Sequence, residues 1–424
     1  MTCIPGLPVL QALYQTDEQG AKIQQARYQA LKDRFAEKFG DASGLRYFSA
    51  PGRTELAGNH TDHNHGSVLA AAIDLDSICA ARPNHSSCVR LWSQGYDACF
   101  QVDLNQLEPV PGETGTTCAL IRGVCAAMRS RGVTPGGFDA VCSSQVAVGS
   151  GLSSSAAFEV MLATVVDGLF GAGDMPPILR AQAAQEAENR YFGKPSGLMD
   201  QAASAVGALV GIDFGAEQVM VSPLHVDFSA QGYVLAVTFT GGSHDDLTEC
   251  YAAIPADMRK VAAFFGVETL RQVDPAAFEN ALAQVRAQAG DRAVLRAMHF
   301  FEENQRVVQM QRALDAGDMQ TYLDLTVESG RSSFMQLQNV QAPGEDCKLA
   351  LALALSRRLL EHTGAWRVHG GGFAGTILAV VPVNAAKTYR EKMEAVFGTG
   401  SVRVLQVRTA GAAEVPAGKK ETQE

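Results

Sequence analysis

A chain of 424 residues exceeds the size at which a single hydrophobic core keeps growing, so two domains are expected. With 46% hydrophobic and 19% charged residues it has a globular balance, with enough apolar material to fill both. The formal net charge of −10 argues against nucleic acid or an anionic membrane as the main partner, although a nucleotide needs only a local positive field.

The opening MTCIPGLPVL has neither the basic nor the apolar region of a secretory signal. No apolar run reaches membrane-spanning length. Nine cysteines without a C-x-x-C pair or zinc-finger spacing suit reduced thiols, and hence a cytoplasmic location. Residues 1 to about 44 read as a helical lead-in, with Ala21 to Phe39 rich in helix formers and stopped by Gly40-Asp41. Leu45 to Ala50 is a short strand entering Pro51-Gly52. Val68 to Ala81, Cys88 to Ser93 and Ala98 to Val102 are further strands, and Leu120 to Arg131 a helix.

Phe138, Ala140, Cys142, Val146 and Val148 alternate like a strand, while Phe158, Met161, Leu162, Val165 and Leu169 mark one face of a helix. Between them lies Gly149-Ser150-Gly151-Leu152-Ser153-Ser154-Ser155-Ala156-Ala157. Unpaired N–H groups and the positive end of the dipole make such a helix N-terminus a phosphate cradle. Glycine-rich turns before helices are often only turns, and this is not a Walker A loop, since no Gly-Lys-Ser/Thr follows.

Pro176-Pro177 opens a helix to about Phe192, stopped by Gly193 and Pro195. Strand-like segments fill Gly207 to Ser222, and the domain boundary is placed there, giving domains at 1–215 and 216–410. Helices are expected over Asp257 to Phe265, Asp274 to Gln288 and Ala293 to Asp315, with a buried helix around Leu349 to Leu355 closed by Gly364. Trp366 to His369 is a strand leading to Gly370-Gly-Gly-Phe-Ala-Gly375, and Thr376 to Val381 another. Residues 411–424 read as a mobile tail.

The stretch Pro51-Gly-Arg-Thr-Glu-Leu-Ala-Gly-Asn-His-Thr-Asp-His-Asn-His-Gly66 is too polar to be core. His60, Asp62 and His63 match the last three ligand places of an H-x-H-x-D-H metallohydrolase motif, but Gly58 stands where its first histidine belongs. The other reading is sugar recognition beside a phosphoryl-transfer centre, because amides, carboxylates and histidines hold hydroxyls in fixed directions and Arg53 can offset an oxyanion. His299 is read as a structural side chain, and Asp245, Asp246 and Glu249 as a solvated helix start.

Taken in order, P-G-R-T-E-L-A-G-N-H-T-D-H-N-H-G, G-S-G-L-S-S-S-A-A and G-G-G-F-A-G resemble the three signature motifs of the GHMP sugar and metabolite kinases. The first is most similar to the galactokinase pattern G-R-x-N-L-I-G-E-H-T-D-Y-N-x-G. Ala187 to Gln201, ending in Met-Asp-Gln, agrees as well. The resemblance spans about residues 45 to 410 and implies a two-domain α+β fold: a ribosomal protein S5 domain 2-like N-terminal domain and a ferredoxin-like C-terminal domain. It implies a sugar 1-kinase taking ATP, Mg2+ and galactose to galactose 1-phosphate. By matching position, Asp200 and Arg53 would be catalytic, and Asn59, His60, Asp62, Gly197 and Tyr251 would line the sugar pocket. Gly149 to Ala156 would hold ATP, and Ser155 and Glu188 the magnesium.

Three positions depart from the galactokinase pattern: Asn59 replaces a glutamate, Glu55 an asparagine and His63 a tyrosine. Loss of the carboxylate at 59 leaves a galactose-like acid such as galacturonate open as the acceptor. A non-catalytic sugar and ATP sensor is a further reading, although Arg53, Glu188, Asp200 and the serine-alanine steps are all present.

Overall fold

The computed structural model describes residues 3–146, 151–215, 219–241, 247–342, 344, 346–373 and 375–418. The expected lead-in is two helices, α1 (Leu7–Tyr14) and α2 (Glu18–Phe39), the second capped by the Asp17 carboxylate and ended at Gly40. The chain then enters a mixed sheet of β1 (Arg46–Ala57), β2 (Ser67–Pro83), β3 (Cys88–Ser93), β4 (Phe100–Asp103), β5 (Phe138–Ser144), β6 (Leu209–Asp213) and β7 (Met220–Leu224). The first strand does not stop at Ala50. It runs through Pro51-Gly52 and Arg53 to Ala57, with irregularities between Pro51 and Arg53 and between Glu55 and Ala57 that let a proline sit inside a strand.

The long β2 serves two neighbours on one side: Ser67–Ala71 pair with β6, and Ser77–Pro83 with β5. Both faces of the sheet are covered. Phe48, Cys79, Ala81 and Ala140 point into a core with α3 (Thr117–Ser130), α4 (Ser154–Phe170), α5 (Pro177–Ala187) and α6 (Met199–Val206). Their sequence neighbours Tyr47, Ile78, Ala80 and Val141 pack on the other face with Leu10, Tyr28 and Phe35 of α1 and α2. Tyr14, Arg27, Ser49 and Arg408 all converge on the buried Asp76, tying both helices and the C-terminal segment to the sheet.

The second half holds α7 (Thr248–Phe264), α8 (Pro275–Asn280), α9 (Leu282–Ala289), α10 (Asp291–Asp315), α11 (Met319–Ser332), α12 (Lys348–Leu360) and α13 (Ala386–Phe397). With them are β8 (Tyr233–Phe239), β9 (Ala365–Val368), β10 (Thr376–Pro382) and β11 (Val402–Leu405). These four strands form an antiparallel sheet in the order β11-β8-β10-β9. The fourth strand lies beside the first and the third beside the second, the ferredoxin-like arrangement expected for this half. A shared core of Leu56, Leu69, Leu209, Val237, Val307, Tyr322 and Leu378 joins the two sheets.

The expected split at 215/216 falls between β6 and β7, which pair with each other; the change of sheet comes later, between Leu224 and Tyr233. Residues 411–418 are not a mobile tail. β12 (Ala413–Val415) pairs with Tyr47–Ser49 on the edge of the first sheet, and Ala417 bridges to Pro5. An edge strand is held by backbone bonds, to which composition is blind. Among the described residues, no helix is long and apolar enough to cross a membrane.

Candidate active site

Arg53 and Glu55 lie two apart on β1 and so share a face. After Ala57 the chain breaks from the sheet at Gly58 and His60, both with positive φ, and passes into a short 3-10 turn at Asp62–Asn64. Across from this turn, α5 ends in a π-helical turn (Glu188–Phe192), a feature frequent at functional sites, and the chain returns through Lys194 to Gly197 into α6, whose first turn carries Asp200. The third wall is the glycine-rich loop after β9, with Gly370 and Gly372 at positive φ. These elements enclose a cavity of about 290 Å³, close to the lower end of the range of ligand pockets.

Arg53, Asn59, His60, Asp62, Gly197, Asp200 and Tyr251 all line this one cavity. Arg53 grips Asp200 with two parallel bonds, Nε to Oδ1 at 2.6 Å and Nη2 to Oδ2 at 2.8 Å. Its Nη1 donates to the Gly151 carbonyl, so the same side chain is anchored to the cradle. Burial works to raise the Asp200 pKa, but Arg53, the Ser153 hydroxyl and Lys194 outweigh it, and the carboxyl sits below its ordinary value, ionised at neutral pH. Ser153 donates to Asp200 Oδ2.

His60 Nε2 lies 2.9 Å from the Gly371 carbonyl, and Tyr251 Oη donates to Gly372 O at 2.9 Å, so two cavity residues brace the glycine-rich loop. Burial pushes the His60 imidazole down to about 4, leaving it neutral at pH 7. A Cβ at Gly197 would run into the Asp62 carboxylate, so a larger residue there would displace that side chain from its place in the cavity wall. His299 is structural, as its sequence context suggests, with Nε2 2.9 Å from the Asn59 carbonyl and Nδ1 2.8 Å from Ser332 Oγ, holding the backbone of the sugar turn.

The phosphate side is described from Gly151 onward; Gly149 and Ser150 lie outside the described residues, as do Val148, Asp245 and Asp246. Gly151 has φ +70 and a Cβ there would come within 2.8 Å of Thr376 Oγ1. Ser153 takes a left-handed conformation and makes no side-chain cap to α4, whose first turn is Ser154, Ser155 and Ala156, with Leu152 buried beside them. Uncapped N–H groups and a helix dipole suit an anion here. Ser155 Oγ is 3.3 Å from Glu188 Oε1, which also receives Lys194 Nζ at 2.9 Å, while Gln201 donates to Glu188 Oε2 at 2.9 Å. Burial opposes the Lys194 charge, yet Glu188 more than compensates, and its pKa is raised.

Residues 33–83 match the galactokinase galactose-binding signature and residues 119–208 the GHMP kinases N terminal domain. The galactokinase of Streptomyces coelicolor is 32% identical over 378 residues, covering 88% of this chain and 94% of the relative. The chain belongs to the galactokinase family. A second galactokinase, from Mycobacterium bovis, is 33% identical over 351 residues, covering 80% of this chain and 90% of its own. The crystal structure of Lactococcus lactis galactokinase complexed with galactose aligns with a TM-score of 0.79 at 25% identity, over 91% of this chain and 99% of that one. Methanococcus jannaschii mevalonate kinase, at 14% identity and a TM-score of 0.62, shares the fold. The protein is therefore a sugar kinase with the two-domain GHMP architecture.

Sequence reasoning did not single out several residues of this galactokinase-family site. Lys194 lines the cavity. Glu303 on α10 is fully buried and accepts from the Gly58 N–H at 3.0 Å, from Ser329 Oγ at 2.6 Å and from Arg306. Burial alone would raise its pKa, but Arg306, His299 and Arg367 bring it down to about 2. His369 takes the Glu55 N–H on Nε2 at 3.3 Å, so its proton is on Nδ1, directed at Thr376 Oγ1 at 2.9 Å. The carboxylate missing at position 59 is not lost from the cavity. Glu55, four residues earlier, lines it, hydrogen-bonded to Asn59 and ion-paired with Arg367 at 2.7 Å.

Proposed function

We propose that this kinase transfers the γ-phosphoryl group of ATP to the anomeric hydroxyl of galactose, giving galactose 1-phosphate and ADP. The observation that carries the reading is the position of Asp200. It lines the sugar cavity, is gripped by Arg53, and accepts the hydroxyl of Ser153 at the mouth of the phosphate cradle, so one carboxylate borders both substrates.

In the proposed step the sugar hydroxyl lies against Asp200, which orients it and accepts its proton. A carboxylate held below its ordinary pKa is a weak base. Phosphoryl transfer through a loose transition state asks little of a base before the new bond forms, so orientation and late proton acceptance suffice. Arg53 keeps Asp200 ionised and offsets charge on the attacking oxygen. His60, Asp62, Gly197 and Tyr251 would fix the sugar, Asn59 and Glu55 would close its far wall, and the first turn of α4 would bind ATP phosphates.

The hydroxyl of Ser155 and the carboxylate of Glu188 are a hard-oxygen pair 3.3 Å apart, which fits Mg2+. Among the described residues no group of three His, Cys, Asp or Glu is placed to hold a metal, so His60, Asp62 and His63 do not make a three-ligand site. Two protein oxygens match an ion that takes its remaining ligands from phosphates and water. Bound there, Mg2+ would neutralise phosphate charge, and Lys194 adds a cation at the cavity edge. Nine free cysteines suit work in the reducing cytoplasm.

The test is ADP release by the purified protein with ATP and galactose, against arabinose, glucose and N-acetylgalactosamine. The reading expects turnover with galactose. A protein that binds sugar and ATP but releases no ADP is a sensor, and the proposal fails.

A further inference from the structure

Glu55 and Asn59 form one wall of the sugar cavity, and they share their hydrogen bonds unequally. Glu55 Oε1 accepts from Arg367 Nη2 at 2.7 Å and from Asn59 Nδ2 at 2.9 Å. Among the described residues, none hydrogen-bonds to its Oε2. The Asn59 amide is committed: Nδ2 donates to Glu55 and to the Gly370 carbonyl, and Oδ1 accepts from Asn339 Nδ2 at 2.6 Å. A primary amide has two hydrogens, and both are used. Position 59 thus has no donor left for a ligand anion, whereas position 55 has a carboxylate oxygen left for a ligand hydroxyl.

The arrangement is rigid. Arg367 on β9 and Asn59 are fully buried and Glu55 nearly so, and the wall is clamped between β1 and the glycine-rich loop. The burial of Glu55 raises its pKa, with Arg367, Arg53 and the Asn59 amide pulling the other way. A sugar hydroxyl donating to Oε2 would complete the carboxylate. A sugar carboxylate in the same place would face Glu55 with no donor between them, and like charges set together in a desolvated site are strongly unfavourable.

Resting on the galactose reading above, we propose that Glu55 is the specificity-determining carboxylate of this kinase, its Oε2 accepting a hydrogen bond from a galactose hydroxyl, with Asn59 and Arg367 positioning it, so that neutral sugars are selected over uronic acids. The carboxylate and the amide have exchanged places along β1 and the following turn, and the cavity keeps its acidic wall. The structure thereby removes the premise on which Asn59 opened the site to galacturonate.

The experiment is steady-state kinetics of wild type and Glu55→Gln with galactose, its monodeoxy analogues and galacturonate. A hydrogen bond to a charged group sets the scale at roughly 10- to 100-fold in kcat/KM. One deoxygalactose should lose that much in wild type and little more in Glu55→Gln, with the KM for galactose rising more than kcat falls. Galacturonate should be at least about 100-fold poorer than galactose in wild type. If Glu55→Gln fails to fold because Arg367 is left unpaired, the charge-neutral double variant E55Q/R367M gives the same comparison. Additive losses for every deoxy sugar, or galacturonate within tenfold of galactose, would overturn the proposal. Wild type inert on galactose would instead sink the function reading itself, which separates the two failures.

Discussion

Replacing Asp200 by asparagine changes one atom in the centre of the site. Arg53 Nε and Nη2 donate to its two oxygens at 2.6 and 2.8 Å, and Ser153 donates to Oδ2. An amide must turn an NH2 toward one of these donors, so it loses at least one charge-assisted bond as well as the ability to accept a proton. Loss of a positioned proton acceptor costs about 10²- to 10⁴-fold in turnover, which is about 3–5 kcal/mol of barrier. The stability cost is smaller. Bonds to charged groups are worth about 1.5–3 kcal/mol, and with the Asp200 side chain 31% exposed the lower figure applies. Asp200→Asn should therefore melt a few degrees lower at most, bind galactose within about tenfold of wild type, and lose kcat by at least ~100-fold. A coupled ADP assay, a thermal melt and sugar titration give the three numbers. Turnover within tenfold of wild type in a folded variant would refute the role given to Asp200.

Ser155→Ala should raise the magnesium concentration needed for half-maximal activity, and an unchanged titration would remove Ser155 from the metal site. Glu303 has a folded-state pKa of about 2 against an ordinary 4.5, so its contribution is full above pH ~4.5 and is lost as pH falls toward 2. The shift is worth ~3 kcal/mol. Denaturant midpoints followed from pH 6 to 3 should accordingly fall less steeply in Glu303→Gln; parallel curves would contradict the assignment. Deleting residues 411–424 removes β12 and exposes the β1 edge, so the melting temperature should drop. A melting temperature equal to that of the full chain would return the segment to a tail.

Local pattern made much of this fold legible. The cradle helix, the β3 strand and the helix from Pro177 follow from periodicity, proline and glycine punctuation, and they stand close to where the residues place them. What was missed has physical causes. The helix expected over Asp257 to Phe265 is longer, beginning at Thr248 with Glu249 in its first turn and carrying Pro255 inside it, a residue that ordinarily breaks a helix interior. The stretch Asp274 to Gln288 reads as one helix but divides at Ala281 into two. The site was legible where chemistry is concentrated in a motif: Arg53 and Asp200, 147 positions apart, meet in a bidentate pair. It was illegible where a partner comes from an ordinary stretch. Nothing around Glu303, Asn339 or Arg367 signals that they support the sugar turn and its carboxylate, because those pairings exist only once β1 meets α10 and the second sheet.

The central claim is transfer of the ATP γ-phosphoryl group to the anomeric oxygen of galactose. The most direct measurement is an NMR spectrum of the reaction with ATP, Mg2+ and galactose. The account predicts one new phosphate resonance coupled to the proton on C1, growing in step with ADP. Phosphate on any other carbon, or none, would contradict it.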